Sequence, residues 1–212
     1  MKMLSFDTDT DFAQNYKFLI GSIIPRPIAA VSTLNLDGTN NLAPFSFFNG
    51  VCSKPMIVSF CPVIRTSTGM KKDTLINIER EKEFVINFVT EEIAEKINLA
   101  STELKYGEDE FLYSKLTPIK SQKIKAMRVQ ESPIHFECQL RDILSYGDGK
   151  SAGSGYLVTG EVIKVHINEA IYQDGRIITD LYKAVGRGAG NDWIKTDSRT
   201  QFERLMKAQI QK

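Results

Sequence analysis

The residues best suited to chemistry fall in one stretch, 26–77. Its last part, "RTSTGMKKDTLIN" over 65–77, sets Arg65, Lys71 and Lys72 beside the hydroxyls of Thr66, Ser67, Thr68 and Thr74, at the start of a helical pattern. Positive charge, small hydroxyl donors and the free amides of a helix N-terminus are the parts of a phosphate site. The middle part, "LAPFSFFNGV" over 42–51, groups Phe45, Phe47 and Phe48 around Ser46. A core strand does not need that serine. The segment is either packing or the wall of a site for something flat, aromatic and polar at its edges. Taken singly, each piece also reads as structure, since Asp and Thr cap helices for reasons of their own.

Other chemistries lack their parts. The chain has two histidines, His135 and His166, both on presumed strands, and neither HExxH nor GxxxxGK[ST] occurs. Nucleophilic and metal catalysis therefore lose most of their support, and no catalytic side chain or metal ligand is assigned. "GRGAG" at 186–190 lacks the third glycine of a dinucleotide fingerprint at the required spacing, and "NDWIKTD" after it is not helical. The three cysteines, Cys52, Cys61 and Cys138, show no CxxC or zinc spacing and read as reduced, mostly buried thiols of a cytoplasmic protein.

The elements that must position these residues follow from periodicity and punctuation. "IAAVSTL" (28–34) reads as a strand, Asp37-Gly38 as a turn, and 41–51 as the returning strand. "MIVSF" (56–60) is the next strand. "DTLINIERE" (73–81) is a short helix capped by Asp73 or Thr74, and "FVINFV" (84–89) a strand. "TEEIAEKINLAS" is a helix capped by Thr90. "GEDEF" (107–111) is the exposed tip of an irregular region. In 134–141, Ile134, Phe136, Cys138 and Leu140 alternate with His135, Glu137, Gln139 and Arg141, so this strand has one wet or differently packed face. A flexible loop (145–155) and another strand (156–167) follow. Ser198-x-x-Gln201 signs a C-terminal helix, about 198–212, packed on the rest. The pattern predicts one mostly β domain over 1–212, an antiparallel barrel with a few peripheral helices.

Lys plus Arg number 27 against 26 Asp plus Glu, a net charge of +1 that gives no drive towards nucleic acid or acidic membranes. No run of apolar residues is long enough to span a bilayer, and the N-terminus meets acid before it could build a signal peptide, so a soluble protein is expected.

Together and in this order, "RPIAAVSTLNLDGTNNLAPFSFFNGVCSKP" and "KKDTLINIEREKEFVINFV", supported by "EDEF", "ESPIHFECQL" and "VGRGAGNDW", resemble the flavin reductase-like family. The resemblance spans roughly residues 18–195. It implies a six-stranded antiparallel FMN-binding split barrel, a homodimer, and FMN, with FAD as the alternative, at or near the subunit interface. In the family's arrangement the segment matching Ala43 to Asn49 passes the isoalloxazine, with Ser46 at its polar edge and Phe45, Phe47 and Phe48 available as walls. Strand alternation puts Ser46 and Phe48 on one side, expected to be the ligand's, and Phe45 and Phe47 on the other. Arg65, Lys72, Asp73 and Thr74 would hold the phosphate, and Arg26, Pro27 and Asn77 complete the implied cofactor set. Lys54-Pro55-Met56 stands where many members have Pro-Pro. Asn191-Asp192-Trp193 stands where many have a Tyr, leaving Trp193 either to stack on the flavin or to cover the barrel. The implied activity is transfer of hydride from NADH or NADPH to flavin. The alternatives are a flavoredoxin-like carrier fed by a redox protein partner, and a non-catalytic flavin-binding protein.

Overall fold

The computed structural model describes residues 2–9, 11–198 and 200–202. In chain order the first elements are helix α1 (Phe12–Ser22) and strands β1 (Arg26–Pro27), β2 (Ala29–Leu34), β3 (Asn40–Phe45), β4 (Phe48–Ser53) and β5 (Met56–Phe60). Next come α2 (Asp73–Glu81), β6 (Glu83–Phe88), α3 (Ala94–Leu99), α4 (Glu110–Ser114), β7 (Pro118–Ile119) and β8 (Arg128–Val129). Last are β9 (Ile134–Tyr146), β10 (Gly155–Ile167), β11 (Tyr172–Gln173), β12 (Arg176–Ile177), α5 (Thr179–Tyr182), β13 (Val185–Arg187) and β14 (Trp193–Lys195). The C-terminal helix expected over 198–212 falls mostly outside the described residues.

The main sheet runs β3-β2-β6-β9-β10-β5-β4, with every pairing antiparallel. Its two edges, β3 and β4, are consecutive in the chain, separated only by Ser46 and Phe47. The sheet therefore closes on itself through one bent strand, a split barrel of the expected class. It has seven strands, or six when 40–53 is counted as a single bent strand. The uninterrupted strand expected over 41–51 is thus corrected: the chain changes neighbours at Ser46–Phe47, leaving β2 and joining β5, and Cys61 N donates to Phe47 O at 2.9 Å across the seam.

The barrel interior is filled by Val31, Phe45, Phe60, Phe84, Ile86 and Val158, among others. Phe60 lies 5.0 Å from Phe45 and 5.4 Å from Phe84, ring to ring. Gly160 sits at a bulge in β10 where a Cβ would fall 2.4 Å from the Phe84 ring, so close packing rather than turn geometry requires the glycine. A second cluster, including Ile28, Leu42, Ile93, Ile97 and Phe111, packs α3 and α4 on the outer face of β2 and β3. Both faces of β2 are therefore covered, which is why "AAVSTL" shows no alternation.

Four local expectations change. Helix α2 spans 73–81 as expected, but its N-cap is Lys72, with no side-chain cap bond. The expected caps are engaged elsewhere: Asp73 pairs with Arg65 and Thr74 accepts from Asn41. Helix α3 begins at Ala94, because Thr90 to Ile93 form a turn. "GEDEF" is not a solvated tip: Asp109 caps α4, Phe111 is fully buried and Glu110 is 6% exposed. Of the cysteines, only Cys138 is buried; Cys61 is intermediate and Cys52 exposed. Glycines at 149 and 153 around Ser151 also match the GxSxG spacing, but they lie in the loop between β9 and β10, where the Ser151 hydroxyl donates to Asp148.

The polar side of β9 is differently packed rather than wet. Glu137 is fully buried and accepts from Gln122 N, Lys123 N and His166 Nε2 at 2.8, 2.7 and 2.6 Å. His135 is buried beside it, with Nε2 2.7 Å from Val129 O. Burial pushes its pKa down to about 4, so the unfolded chain takes up the proton first. Stability supplied by neutral His135 is present above pH ~6.5 and is lost towards pH 4, by roughly 3 kcal/mol at most. Urea unfolding at pH 7 and pH 4.5 should show this decline, and His135→Gln should flatten it; an equally steep decline in the variant would assign the loss to other groups.

Candidate functional site

The bend at Ser46–Phe47 lies on a crevice. A cavity of about 390 Å³ is lined there by Arg26, Pro27, Ser46, Phe47, Phe48 and Asn49. Leu19 and Ile23 of α1 and its C-cap close one side. A polar cavity of about 50 Å³ lies along β3, between Ala43 and Pro44 on one wall and Arg65, Lys72, Asp73 and Thr74 on the other. A third, of about 160 Å³, adjoins both: it shares Pro44 and Ser101 with the polar cavity and Ser46 with the aromatic one, and it ends on Arg187 and Trp193. Beyond Trp193 an open cavity of about 1030 Å³ takes in Asn98, Asn191 and Lys195.

The bend defeats simple alternation. Phe45 points into the barrel and is 5% exposed, away from the crevice. Phe47 and Phe48 line the same cavity from different sides: the Phe48 ring meets Phe88 at 5.9 Å, whereas Phe47 lies 6.4 Å from Tyr16 and 6.0 Å from the Arg26 guanidinium. Ser46, not either ring, is common to the two larger parts of the crevice near the bend.

Arg26 is 3% exposed and forms no ion pair among the described residues. Its Nη1 donates to Ile20 O and Ile23 O at 2.6 and 3.0 Å, its Nη2 to Gly188 O at 2.8 Å, and its Nε to Ser46 Oγ at 3.3 Å. Burial lowers its pKa, and the cost of the buried charge is met by carbonyls rather than by a carboxylate. Arg26 thus positions the bend. Asn77 is also structural: fully buried, it donates to Thr33 Oγ1 at 3.0 Å and Asn35 Oδ1 at 2.7 Å, beneath α2 rather than in the crevice.

The polar cavity sets two cations, Arg65 and Lys72, among three carboxylates, Asp73, Glu103 and Glu110, so its fitness for an anion rests on which donors are left unpaired. Arg65 Nη2 reaches Asp73 Oδ2 at 2.8 Å, yet Arg65 Nε is buried without a hydrogen-bond partner. Burial, and then the nearby Arg65 charge, lower the pKa of Lys72. Two cations held close and partly dried, one with an idle donor, are what a phosphoryl group would satisfy. These residues fit such a group. Among the contributors that sequence reasoning passed over are Glu110, Ser101, Arg187 and the α1 side chains. Arg187 ends β13 within "VGRGAGNDW", its guanidinium 5.1 Å from the Trp193 ring. Helix α1 carried a readable signal in its Asp11 cap, whose carboxylate accepts from Ala13 N, followed by Phe12, Tyr16, Leu19 and Ile23 at helical spacing.

A family model described as "Flavin reductase like domain" matches residues 20–180, from the end of α1 through the bend and the polar cavity. The chain belongs to the flavin reductase-like family. A relative in Bacillus subtilis (strain 168), the uncharacterized protein YwrF, is 35% identical over 196 residues, covering 91% of this chain and 95% of its own. Among solved structures, nitrilotriacetate monooxygenase component B from Bacillus cereus is 35% identical with a TM-score of 0.89, over 96% of this chain and 100% of that one. The 2-nitrobenzoate 2-nitroreductase NbaA of Pseudomonas fluorescens is 28% identical with a TM-score of 0.84, over 96% and 98%.

The position of Arg26 in this flavin reductase-like chain can be checked without any ligand. Arg26→Met should cost roughly 2–4 kcal/mol by stranding its buried acceptors, and should speed amide exchange in α1. Unchanged protection of residues 12–22 would mean that the guanidinium does not hold the helix.

Proposed function

We propose that this flavin reductase-like protein is an FMN-binding oxidoreductase that takes hydride from NADH or NADPH. The observation that carries the reading is the row of neighbouring cavities, with the idle Arg65 donor in the polar one at one end and the Ser46–Phe48 bend at the other. Arg65, Lys72 and Thr74 would bind the phosphate, with Asp73 orienting Arg65. Ala43 and Ser46 would meet the polar ring edge, Phe47 and Phe48 would exclude water, and Trp193 with Arg187 would flank the far side. The 50 Å³ polar cavity suits a terminal phosphate rather than a second nucleotide, which favours FMN over FAD. The flavin supplies two-electron chemistry, so the chain need only bind, orient and desolvate it.

A homodimer is part of the same reading. Phe12, Tyr16, Leu19 and Ile23 form an exposed apolar stripe along α1, and Leu19 and Ile23 also line the 390 Å³ cavity, so a second copy seated there would complete its wall. Among the described residues no helix is long and apolar enough to cross a membrane. The three free cysteines suit a reducing, cytoplasmic compartment.

Anaerobic titration with FMN and then NADH or NADPH tests the activity: the flavin absorbance near ~450 nm should bleach. Bleaching by dithionite alone would instead make the protein a carrier fed by a redox partner. Arg65→Ala with Lys72→Ala should weaken FMN about 100-fold while leaving riboflavin nearly unchanged, as expected for two lost charge-assisted contacts. Equal losses for both ligands would refute the phosphate assignment.

A further inference from the structure

Glu110 is the one carboxylate that α4 contributes to the polar cavity, and its place there is peculiar. It is 6% exposed, one oxygen accepts from Leu42 N of β3 at 3.0 Å, and it forms no ion pair among the described residues. The cations that share its cavity do not neutralise it: Arg65 pairs with Asp73, and Lys72 makes no ion pair among the described residues.

The charged groups around it come from every neighbouring element. Helix α2 and the loop before it bring Asp73, Lys72 and Arg65; the 100–104 turn brings Glu103; α4 itself brings Asp109, which is held by Asn40 of β3. Helix α3 turns its charges elsewhere, Glu95 into the open cavity and Lys96 towards Glu131. Burial first, then Asp73 and Asp109, raise the Glu110 pKa to about 7, against the lowering effect of the Leu42 amide. An anion entering the cavity adds a further negative charge beside a carboxylate that has no counter-ion of its own.

We infer that capture of a phosphate-bearing ligand in this cavity is coupled to uptake of one proton by Glu110, so that flavin phosphate is held more tightly as pH falls through neutrality and released as it rises. The inference rests on the proposed placement of the FMN phosphate. The balance is simple: a solvent proton converts the carboxylate to a neutral carboxyl, which no longer repels the phosphate and can donate into the cavity. No electron moves.

The test uses fluorescence titration of the intact protein and of Glu110→Gln with FMN and with riboflavin, from pH 6.5 to 8.5. The ligand's own phosphate titration and that of Lys72 are common to both proteins, so the ratio of their FMN dissociation constants isolates Glu110. That ratio should change about 10-fold or more across the range, and the riboflavin ratio should stay flat. Calorimetry in buffers of different ionisation enthalpy counts the protons directly: on binding FMN at pH 7 the unsubstituted protein should take up roughly half a proton more than Glu110→Gln, or than Glu110→Leu as a second variant, and riboflavin should show no difference. FMN binding that is phosphate-dependent but carries no proton, with a flat ratio, overturns the inference and leaves the phosphate site standing. FMN and riboflavin binding equally at every pH overturns the phosphate placement itself, and this inference with it.

Discussion

The buried guanidinium of Arg26 is the interaction on which the crevice depends. Its donors reach the C-terminal carbonyls of α1, the Ser46 hydroxyl at the bend and the Gly188 carbonyl beyond β13, segments as far apart in sequence as 162 residues. A buried charge that lacks a carboxylate must be solvated by dipoles, and those dipoles have to be held in place. The charge therefore acts as a template: the helix that walls the aromatic cavity, the bend that floors it and the loop leading to Trp193 are assembled around one side chain. A carboxylate could have neutralised Arg26 locally, but it would not have drawn three segments together.

The polar cavity is held by a neutral counterpart. Asn41 donates to Thr33 Oγ1 and Thr74 Oγ1, Asn77 donates to Thr33 Oγ1 and Asn35 Oδ1, and Tyr106 donates to Asn77. This network fastens the first turn of α2 to β2 and β3 without spending a charge. Arg65, Lys72 and Asp73 are left at the rim, where Asp73 offsets part of the Arg65 charge and Lys72 makes no ion pair among the described residues. A satisfied amide–hydroxyl floor thus lies beneath a charged rim in which one Arg65 donor is left without a partner.

Much of this was legible in the residues and some was not, for physical reasons. Asp37-Gly38, the Ile134–Leu140 alternation and the α2 pattern carry their structure locally, and each appears where it was read. The ordered basic and aromatic segments also pointed to the right family. The bend at Ser46–Phe47 was not legible, because it comes from closing the barrel, a constraint set by strands far away in sequence. For the same reason alternation alone does not show that Phe45 points into the barrel, nor that Asn77 is taken up by Thr33 and Asn35 beneath α2. Glu110 was misread because an acidic cluster usually means solvent. What buries it is Phe111 entering the second core, a contact made with β3 and α3 and invisible in "GEDEF" itself.

The closure through β3 and β4 also bears on how such a chain can change over time. Both sheet edges are built from one bent strand with two residues at the corner, so chain length there is fixed by the closure. One residue inserted or deleted between Phe45 and Phe48 would slip one half of the strand by one position, turning Phe48 away from Phe88 or Phe45 away from Phe60. Diversification of this crevice must therefore proceed by substitution at the corner, and by insertion only in the loops that end on it, such as 62–72, 100–107 and 188–192.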